Sequence, residues 1–408
     1  MNTPAVGKGL WFRLPGFRAP GLLVLAVGLA LTLTLATSAQ SPGPSAGSKG
    51  PATMAEQLST TERLRKPGWW PTKGTLPREE FAGPAACAQC HSAISTTQQQ
   101  SAMARTSTRA QDSEILRTHL LDYRLGPYSY RISPSGNVQM YIVSDSTRTI
   151  SGPLSWSFGI RMGQSWFFNH NSLTLLVPLT YYPEPKEFSF TVDQPHTAPA
   201  SLEKAIGRPL SSSEVRGCFD CHTTAATTND HFDPEHAIPG VTCEACHGPG
   251  ANHIAGAKSG LIEQQGITMI MNPKRLNPVD SVDYCGACHR TWWDVTLAEN
   301  PGPKSLRFQP YRIENSRCWG KGDARITCVA CHDPHRPLVR DAASYDTRCE
   351  ACHVTAGKAT ADHPGSACPV SQKDCVSCHM PQYQVVDIPV KFTDHQIRVV
   401  RPNAPIPE

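Results

Sequence analysis

Fourteen of the 16 cysteines belong to seven copies of one short pattern, in which two Cys are separated by two residues and followed at once by His. The copies are Cys87-Ala-Gln-Cys90-His91, Cys218-Phe-Asp-Cys221-His222, Cys243-Glu-Ala-Cys246-His247, Cys285-Gly-Ala-Cys288-His289, Cys328-Val-Ala-Cys331-His332, Cys349-Glu-Ala-Cys352-His353 and Cys375-Val-Ser-Cys378-His379. This spacing lets one tight turn present two thiols to the vinyl groups of a haem and places an imidazole under the iron. The pattern therefore predicts seven covalently attached c-type haems, each with the motif His as proximal ligand.

Two other uses of paired Cys fit the pattern poorly. A structural zinc site takes its ligands from two Cys pairs, or from one pair and distant His, and does not need a His after every pair. A thioredoxin-like redox pair occurs once, on a βαβ unit, and not seven times. We therefore interpret all seven copies as haem attachment motifs.

A second axial ligand decides what each haem can do. A haem with two protein ligands only passes electrons, whereas a haem with an open position can bind a substrate. Nine His lie outside the motifs, which is enough to supply every haem with a distal ligand: His119, His170, His196, His231, His236, His253, His335, His363 and His395.

Sequence context favours four of these nine as distal ligands. His253 and His335 each follow a motif in a short loop that Gly or Pro makes rigid, and His363 and His395 lie on either side of the last motif. We predict that these four complete the coordination of haems, because His is a usual axial ligand.

Five further residues have more than one interpretation. One of His231 and His236 is an additional distal candidate. Met103, 12 residues beyond the first motif His, either ligates a haem and raises its potential or packs against it. Cys318 and Cys368 lie outside the motifs. They form a disulfide with each other, or Cys318 is a thiolate ligand to a haem, because free thiols do not persist outside the cytoplasm.

The N-terminus has the features of an export signal. Lys8, Arg13 and Arg18 precede an apolar run at 21–36, and small residues at 37–39 suit cleavage. The run is short for a membrane span, which needs about 20 residues. Residues 1–39 are therefore predicted to be a cleaved secretory signal, with a retained membrane anchor as the alternative. Export would place the protein in the periplasm or outside the cell.

Charge and composition limit the partners. The formal charge of +4 includes the three basic residues of the signal, so the mature chain carries +1. The propionates of seven haems would add about −14, which makes the holoprotein acidic and attractive to basic redox partner proteins. A nucleic-acid binder would need a Lys/Arg cluster, and the sequence has none. Apolar residues reach only 39%, so we expect haems to supply part of the interior.

The intervening sequence predicts how the motifs are positioned. Two pairs of apolar runs around turn sequences, at 128–143 and 165–182, predict β-hairpins in the 126 residues between the first two motifs. The later motifs recur every 21 to 43 residues, which leaves one short helix or loop per haem. The predicted fold is mainly α and irregular, wrapped around haems, with a small antiparallel β subdomain inserted between haems 1 and 2. The predicted segments are a linker at 40–80, a first haem segment at 81–125, the β subdomain at 126–200, a six-haem domain at 201–399 and a frayed tail at 400–408.

The second half of the chain resembles the multihaem cytochromes related to cytochrome c554. Four stretches carry the likeness, namely residues 240–250 with His253, residues 284–290, residues 328–335 ending in His-Asp-Pro-His, and residues 374–381 followed by 392–395. The likeness covers residues 211–399, and the first motif also fits. It implies a mainly helical chain around stacked, mostly bis-His haems and electron transfer in the periplasm. It implies His253, His335, His363 and His395 as distal ligands.

The chain also departs from that family. Relatives often carry a His at the place of Met103, so the resemblance does not identify the distal ligand of the first haem. The same superfamily contains reductases of nitrite and of other small nitrogen and sulfur species. The nitrite reductases typically use a C-x-x-C-K haem, which this sequence lacks.

Three functions follow as hypotheses. The first is an electron-transfer protein of anaerobic respiration that links a respiratory donor to an acceptor through a chain of haems. The second is a reductase of a small nitrogen or sulfur oxyanion at one open haem. The third is a subunit of an extracellular conductive cytochrome assembly. Function must be argued from the site and not from the fold.

Overall fold

The computed structural model describes residues 76–407 except 267, 298–301, 321–325, 354–367, 369, 372, 386–387, 402 and 404. The predicted signal at 1–39, most of the predicted linker at 40–80 and the distal candidate His363 lie outside the described residues. No helix in the described ranges is long and apolar enough to cross a membrane.

An antiparallel sheet of eight strands occupies most of the chain between the first two motifs. Its strands are β1 Ser107–Arg109, β2 Asp122–Leu125, β3 Tyr128–Ser135, β4 Val138–Ser144, β5 Thr149–Phe158, β6 Ser165–His170, β7 Leu173–Leu176 and β10 Arg208–Pro209. They lie in the order β10-β7-β6-β5-β4-β3-β2, and β1 pairs with one end of β5. A separate hairpin between β7 and β10 consists of β8 Leu179–Tyr182 and β9 Glu187–Phe190.

Local sequence explains the central hairpins. In β3 and β4 alternate residues are buried, and the register places Tyr130 opposite Val143 on one face. The β6–β7 turn places Asn171 and Ser172 at φ of 49° and 62°, the left-handed pair that a two-residue hairpin turn prefers. Both predicted hairpins are thus confirmed. The sheet is larger than the range at 126–200 because it also recruits β1, β2 and β10, which lie outside that range. Of these, β1 and β10 are too short to show alternation.

The sheet has a protein-only core. Trp166, Phe168, Tyr130 and Tyr141 are fully buried in it together with aliphatic residues of β3 to β8. Burying each such side chain stabilises the fold by about 1.5–3 kcal/mol. This part of the molecule therefore has its own apolar interior, although the overall composition is poor in apolar residues.

The helices are short. In chain order they are α1 Pro84–Ala88, α2 Ser92–Gln99, α3 Glu114–Thr118, α4 Leu202–Ala205, α5 Ser212–His222, α6 Cys243–His247, α7 Ala251–Lys258, α8 Leu261–Gln265, α9 Pro278–His289, α10 Trp292–Leu297, α11 Gln309–Glu314, α12 Arg317–Gly320, α13 Cys328–Cys331, α14 Asp346–His353 and α15 Cys375–His379. Two-residue and three-residue strands form ribbons between them, namely β11 Thr223–Thr224 with β14 Ile238–Pro239, β12 Thr227–Thr228 with β13 His231–Phe232, and β15 Gln382–Gln384 with β16 Lys391–Thr393. The fold thus combines short helices with a curled antiparallel sheet.

The C-terminal segment, predicted to fray, is anchored instead. Ile406 packs against an apolar cluster with Val385, Ile388 and Val390. The carbonyl of Pro407 accepts a hydrogen bond of 2.8 Å from the buried guanidinium of Arg312. The tail therefore closes over α11.

Candidate haem-binding site

Each motif lies on a helix or at its C-terminal end. α5, α6, α9, α14 and α15 end on the motif His, whereas His91 and His332 follow the last turns of α1 and α13. The backbone N–H of His91 donates to the carbonyl of Cys87 at 2.9 Å, as one helical turn requires. Residues i, i+3 and i+4 share one helix face. Both thiols and the imidazole of a motif therefore point to the same side.

Side-chain caps fix the first residues of two of these helices, α5 and α9. α5 starts with a capping box in which the Ser211 hydroxyl accepts from Glu214 N–H and the Glu214 carboxylate accepts from Ser211 N–H. The backbone hydrogen bond from Ser211, followed by the Arg208 guanidinium, lowers the pKa of Glu214 to about 2. α9 starts at Pro278 with the Asn277 side chain accepting from Asp280 N–H. These caps set the register of two motifs.

The seven motifs surround one continuous cavity. Its volume is about 3700 Å³, several times the 300–1,000 Å³ typical of a pocket for one small ligand. The His of all seven motifs line it, together with at least one Cys of each. Residues that are up to 300 positions apart in sequence are thus brought to the walls of one space with room for several large planar groups.

Three motif His are each faced by a second His across this cavity. The ring centroids are 6.3 Å apart for His91 and His253, 6.0 Å for His247 and His335, and 6.3 Å for His332 and His395. An imidazole nitrogen sits about 2 Å from a bound metal and its ring centroid roughly 1 Å further back, so two rings on opposite sides of one iron have centroids about 6 Å apart. The three spacings therefore fit three bis-His haem sites.

Hydrogen bonds orient these rings for ligation. Nδ1 lies 2.8 Å from the Met271 carbonyl in His247, 2.7 Å from the Thr268 carbonyl in His253 and 3.0 Å from the Thr393 carbonyl in His395. A carbonyl accepts only from N–H, so the proton sits on Nδ1 and Nε2 keeps its lone pair. Metal-ligating His have this arrangement.

Burial keeps the imidazoles neutral. Desolvation lowers the pKa of His222, His247, His289 and His332 below the ordinary value for His, and lowers that of His395 to about 4. A protonated imidazole has no lone pair to give to iron. The cavity therefore holds these five His in the form that binds a metal.

Comparisons with known proteins found the following similarities. A family model described as cytochrome c554 and c-prime matches residues 189–248. The multiheme cytochrome MtrA of Shewanella baltica (strain OS185) is 25% identical over 203 residues, which are 45% of this chain and 59% of that protein. The match thus spans less than two thirds of the relative's length. The outer cell wall cytochrome OcwA aligns with a TM-score of 0.44 and 15% identity over 79% of this chain and 80% of that chain.

The chain is a multihaem c-type cytochrome. It binds c-type haem covalently.

The cavity walls of the cytochrome also suit the acidic edge of haem. The residues that line the cavity include 11 Arg and Lys but only 5 Asp and Glu. The walls therefore attract propionates. The Nε of Arg307 is buried there with no hydrogen-bond partner in the described structure. Desolvation lowers the pKa of Arg307. A buried donor without an acceptor is costly, and a propionate would supply the acceptor.

Contacts between motifs join both consecutive motifs and motifs that are distant in sequence. The side chains of Cys87 and Cys243 are hydrogen-bonded, which lowers the pKa of Cys243 to about 7 and raises that of Cys87. Cys285 and Cys328 are paired in the same way. The Tyr284 hydroxyl donates to the carbonyl of Cys246. Motif 4 therefore lies beside motifs 3 and 5, and motif 3 beside motif 1.

The remaining motifs extend this arrangement in two directions. Cys221 Sγ lies 3.9 Å from the carbonyl of Ala287, which places motif 2 beside motif 4. The phenol ring of Tyr345 packs against His332, with 5.6 Å between ring centroids, and Tyr345 immediately precedes α14 with motif 6. The side chain of Cys349 meets that of Cys375 between motifs 6 and 7.

The second motif is sealed by the sheet. Phe219 of α5 packs edge-on against Trp156 and Phe158 of β5, with centroids 4.9 and 5.1 Å apart, and Phe158 also meets the ring of His222 at 5.8 Å. Thr106 Oγ1 lies 2.7 Å from His222 Nδ1. The predicted β subdomain thus shapes one wall of the haem site.

Other candidates lie elsewhere or stay predictions. His231 and His236 are exposed, away from the cavity, and His236 Nδ1 lies 2.6 Å from Asp233 Oδ2. Met103 lines the cavity, and its carbonyl accepts from Val241 N–H. Cys318 and Cys368 both line the cavity, the first half-buried and the second exposed. The backbone N–H groups of Ser371 and Val370 lower the pKa of Cys368. The proposed disulfide and the thiolate ligand both stay predictions.

Sequence reasoning missed several acidic residues that support the motifs. Glu244 and Asp394 are fully buried and Asp346 nearly so. Asp346 accepts from the N–H groups of Asp374 and Cys375 at 2.7 and 2.9 Å. These hydrogen bonds, that of Cys375 first, lower the pKa of Asp346 and fix the start of α15. The sequence offered no signal for them, because their burial depends on contacts with distant segments.

Proposed function

We propose that this cytochrome is an exported heptahaem protein that relays electrons between a respiratory donor protein and an acceptor. The single observation that carries the proposal is that all seven motifs line one cavity. Haem bound there supplies a reversible ferric–ferrous couple. The motif residues hold seven haems close together, and the surrounding polypeptide covers them.

The ligand pairs support transfer over substrate chemistry. We propose His253 as distal ligand to the haem of Cys87 and Cys90, His335 to that of Cys243 and Cys246, and His395 to that of Cys328 and Cys331. With both axial positions filled by imidazole, a haem passes electrons and has no position for a substrate. At least three of the seven sites are then closed.

The contacts between motifs suggest an order for the relay. Motif 1 adjoins motif 3, and motif 3 adjoins motifs 4 and 5 through Tyr284 and His335. Motif 5 leads to motifs 6 and 7, while motif 2 branches from motif 4 under the sheet. The proposed path therefore differs from sequence order and has ends at motifs 1, 2 and 7.

Charge supports partner proteins of opposite sign. With about −14 from propionates the mature holoprotein is acidic, so a donor or acceptor with a basic face would be steered to it. Export of the protein to the periplasm or beyond belongs to the same proposal.

The experiment combines a haem count with distal-ligand variants. Mass spectrometry of the purified holoprotein should give seven haems per chain, and its ferric EPR spectrum should be dominated by low-spin signals. H253A, H335A and H395A should each convert one haem in seven to a high-spin, cyanide-binding form. H236A, at an exposed His, is the matched control and should change nothing. Fewer than seven haems, or variants that stay low-spin, would contradict the proposal.

A further inference from the structure

Glu244 has an unusual environment for an acidic residue of a haem motif. It lies between Cys243 and Ala245 in α6 and its side chain is 0% exposed. Oε1 accepts from the backbone N–H of Ala82 at 2.7 Å and from that of Gly250 at 2.8 Å, and Oε2 accepts from Gly83 N–H at 2.8 Å. All three partners are donors, so the carboxylate acts as an acceptor only.

The three donors belong to the two segments that frame the first haem site. Ala82 and Gly83 immediately precede α1, which carries Cys87, and Gly83 is its N-cap with φ of 81°. Gly250 is the N-cap of α7, which carries His253. One carboxylate therefore ties the start of the proximal helix to the start of the distal helix.

Close packing makes this tie stiff. A Cβ on Gly250 would lie 3.3 Å from Glu244 Oε1, so the carboxylate and the Gly250 backbone are in direct contact. The backbone of α7 continues this link, because Ile254 N–H donates to the Gly250 carbonyl at 2.9 Å beside His253. A displacement of the carboxylate would therefore be passed to the His253 imidazole within one helical turn.

We propose that Glu244, although it belongs to the third motif, is the positioning residue that holds His91 and His253 in register as the ligand pair of the first haem. The inference rests on the proposed function, because it takes His253 as that haem's distal ligand. It makes the first site dependent on a side chain from a neighbouring motif. The buried charge also lies beside both Cys87 and Cys243, where it favours the oxidised form of either haem.

The chain offers a matched control. The sequence Cys-Glu-Ala-Cys-His occurs a second time, at motif 6, with Glu350 in the place of Glu244. Glu350 is only half-buried. E350Q and E350A therefore make the same chemical change at the same motif position without the contacts to α1 and α7.

Spectroscopy of the holoprotein tests the inference. E244A loses all three hydrogen bonds. In this variant close to one haem in seven should become high-spin in the ferric state and bind cyanide. E244Q keeps an acceptor for Ala82 and Gly250 but places an amide N–H₂ against Gly83 N–H, so its high-spin fraction should be smaller. E350Q and E350A should leave the fraction of high-spin haem at its wild-type value. E244Q should also move the potentials of two haems upward in a redox titration.

The double variant E244A/H253A locates the effect. If Glu244 acts through His253, the double variant should show no more high-spin haem than H253A alone. A second high-spin haem in the double variant, or an E244A spectrum identical to wild type, would overturn the inference. Should E244A not accumulate, E244Q decides, because Gln has the same shape and still removes one hydrogen bond. If wild type itself holds a high-spin first haem that H253A leaves unchanged, the proposed ligation fails instead.

Discussion

The ion pair between Arg312 and Asp394 permits a sharp prediction about stability. Both side chains are 0% exposed, and the guanidinium meets the carboxylate with two contacts of 2.9 Å, Nε to Oδ1 and Nη2 to Oδ2. Arg398 also donates a hydrogen bond to the Asp394 carboxylate. The backbone N–H of Gln396 donates another to Oδ1 of Asp394, at 3.0 Å. Asp394 directly precedes His395. The perturbation is D394N, which retains the shape and removes the charge.

The magnitude follows from burial. Removing one partner of a buried pair leaves an uncompensated charge and costs about 3–5 kcal/mol. The pair of Lys304 and Asp193 has a similar distance of 3.1 Å but side chains that are 54% and 61% exposed, so D193N should cost about 0–1 kcal/mol. The two Asp-to-Asn variants should therefore differ by about 2–5 kcal/mol in free energy of unfolding.

Denaturant unfolding of the holoprotein at neutral pH and in acid provides the assay. Burial acts to raise the pKa of Asp394, but the hydrogen bonds and charges of Arg312 and Arg398 outweigh it and hold that pKa below its ordinary value. The stability from ionised Asp394 is thus complete above the unfolded pKa of about 3.9 and is lost as the pH falls through the folded value. The free energies of unfolding of wild type and D394N should therefore become equal in acid.

Two outcomes would refute this reasoning. One is that D394N unfolds within 1 kcal/mol of wild type at pH 7, and the other is that D193N is destabilised to the same extent as D394N. D394N should also give a high-spin signal at the haem of His332, because the ion pair fixes the loop of His395. A stable D394N with an unchanged spectrum would show that the pair neither stabilises the fold nor positions the ligand.

Three further predictions concern the sheet, the potentials and the partner. F219A should lower the free energy of unfolding by about 3–5 kcal/mol in a denaturant titration, since it removes the centre of a buried aromatic cluster; a loss below 1 kcal/mol would contradict the packing. Y345F removes the hydroxyl that lies 3.4 Å from His332 Nδ1 and should raise the potential of that haem in a spectroelectrochemical titration, because the ligand becomes less basic; a downward shift would argue against it. Electron transfer to a basic redox partner should slow as ionic strength rises in stopped-flow measurements, and salt-independent rates would argue against an acidic docking face.

The parts of the fold set by local chemistry could be predicted from sequence. Cys, Cys and His at i, i+3 and i+4 give the same local geometry wherever they occur, so the attachment residues are visible without a fold. The turn sequence at Asn171 and Ser172 likewise determines its hairpin. The strands β1 and β10 have three and two residues, and such short segments have no periodicity to detect.

The proposed ligand pairs could be only half predicted. The loops around His253, His335 and His395 favoured these residues as candidate ligands, but which motif each one faces depends on packing between distant segments. Glu244 and Glu350 show the limit most clearly, because their local sequences are identical and only the fold buries one of them. Asp394 is similar, since its partner Arg312 is 82 residues away.

Each proposed distal ligand comes from a segment distant from the motif that attaches the haem, so each haem links two parts of the chain. Under the proposed ligation, the pairs of His91 with His253, His247 with His335 and His332 with His395 close loops of about 160, 90 and 60 residues. Each coordination bond then acts as a removable cross-link. By the chain-entropy relation for covalent links, each such loop reduces the disorder of the unfolded chain by an amount equivalent to about 4–5 kcal/mol. These cross-links form only on chains whose haems are loaded. Correct folding therefore reports the attachment of these three haems. A chain that lacks one of them is open to proteolysis in the loop that is not closed.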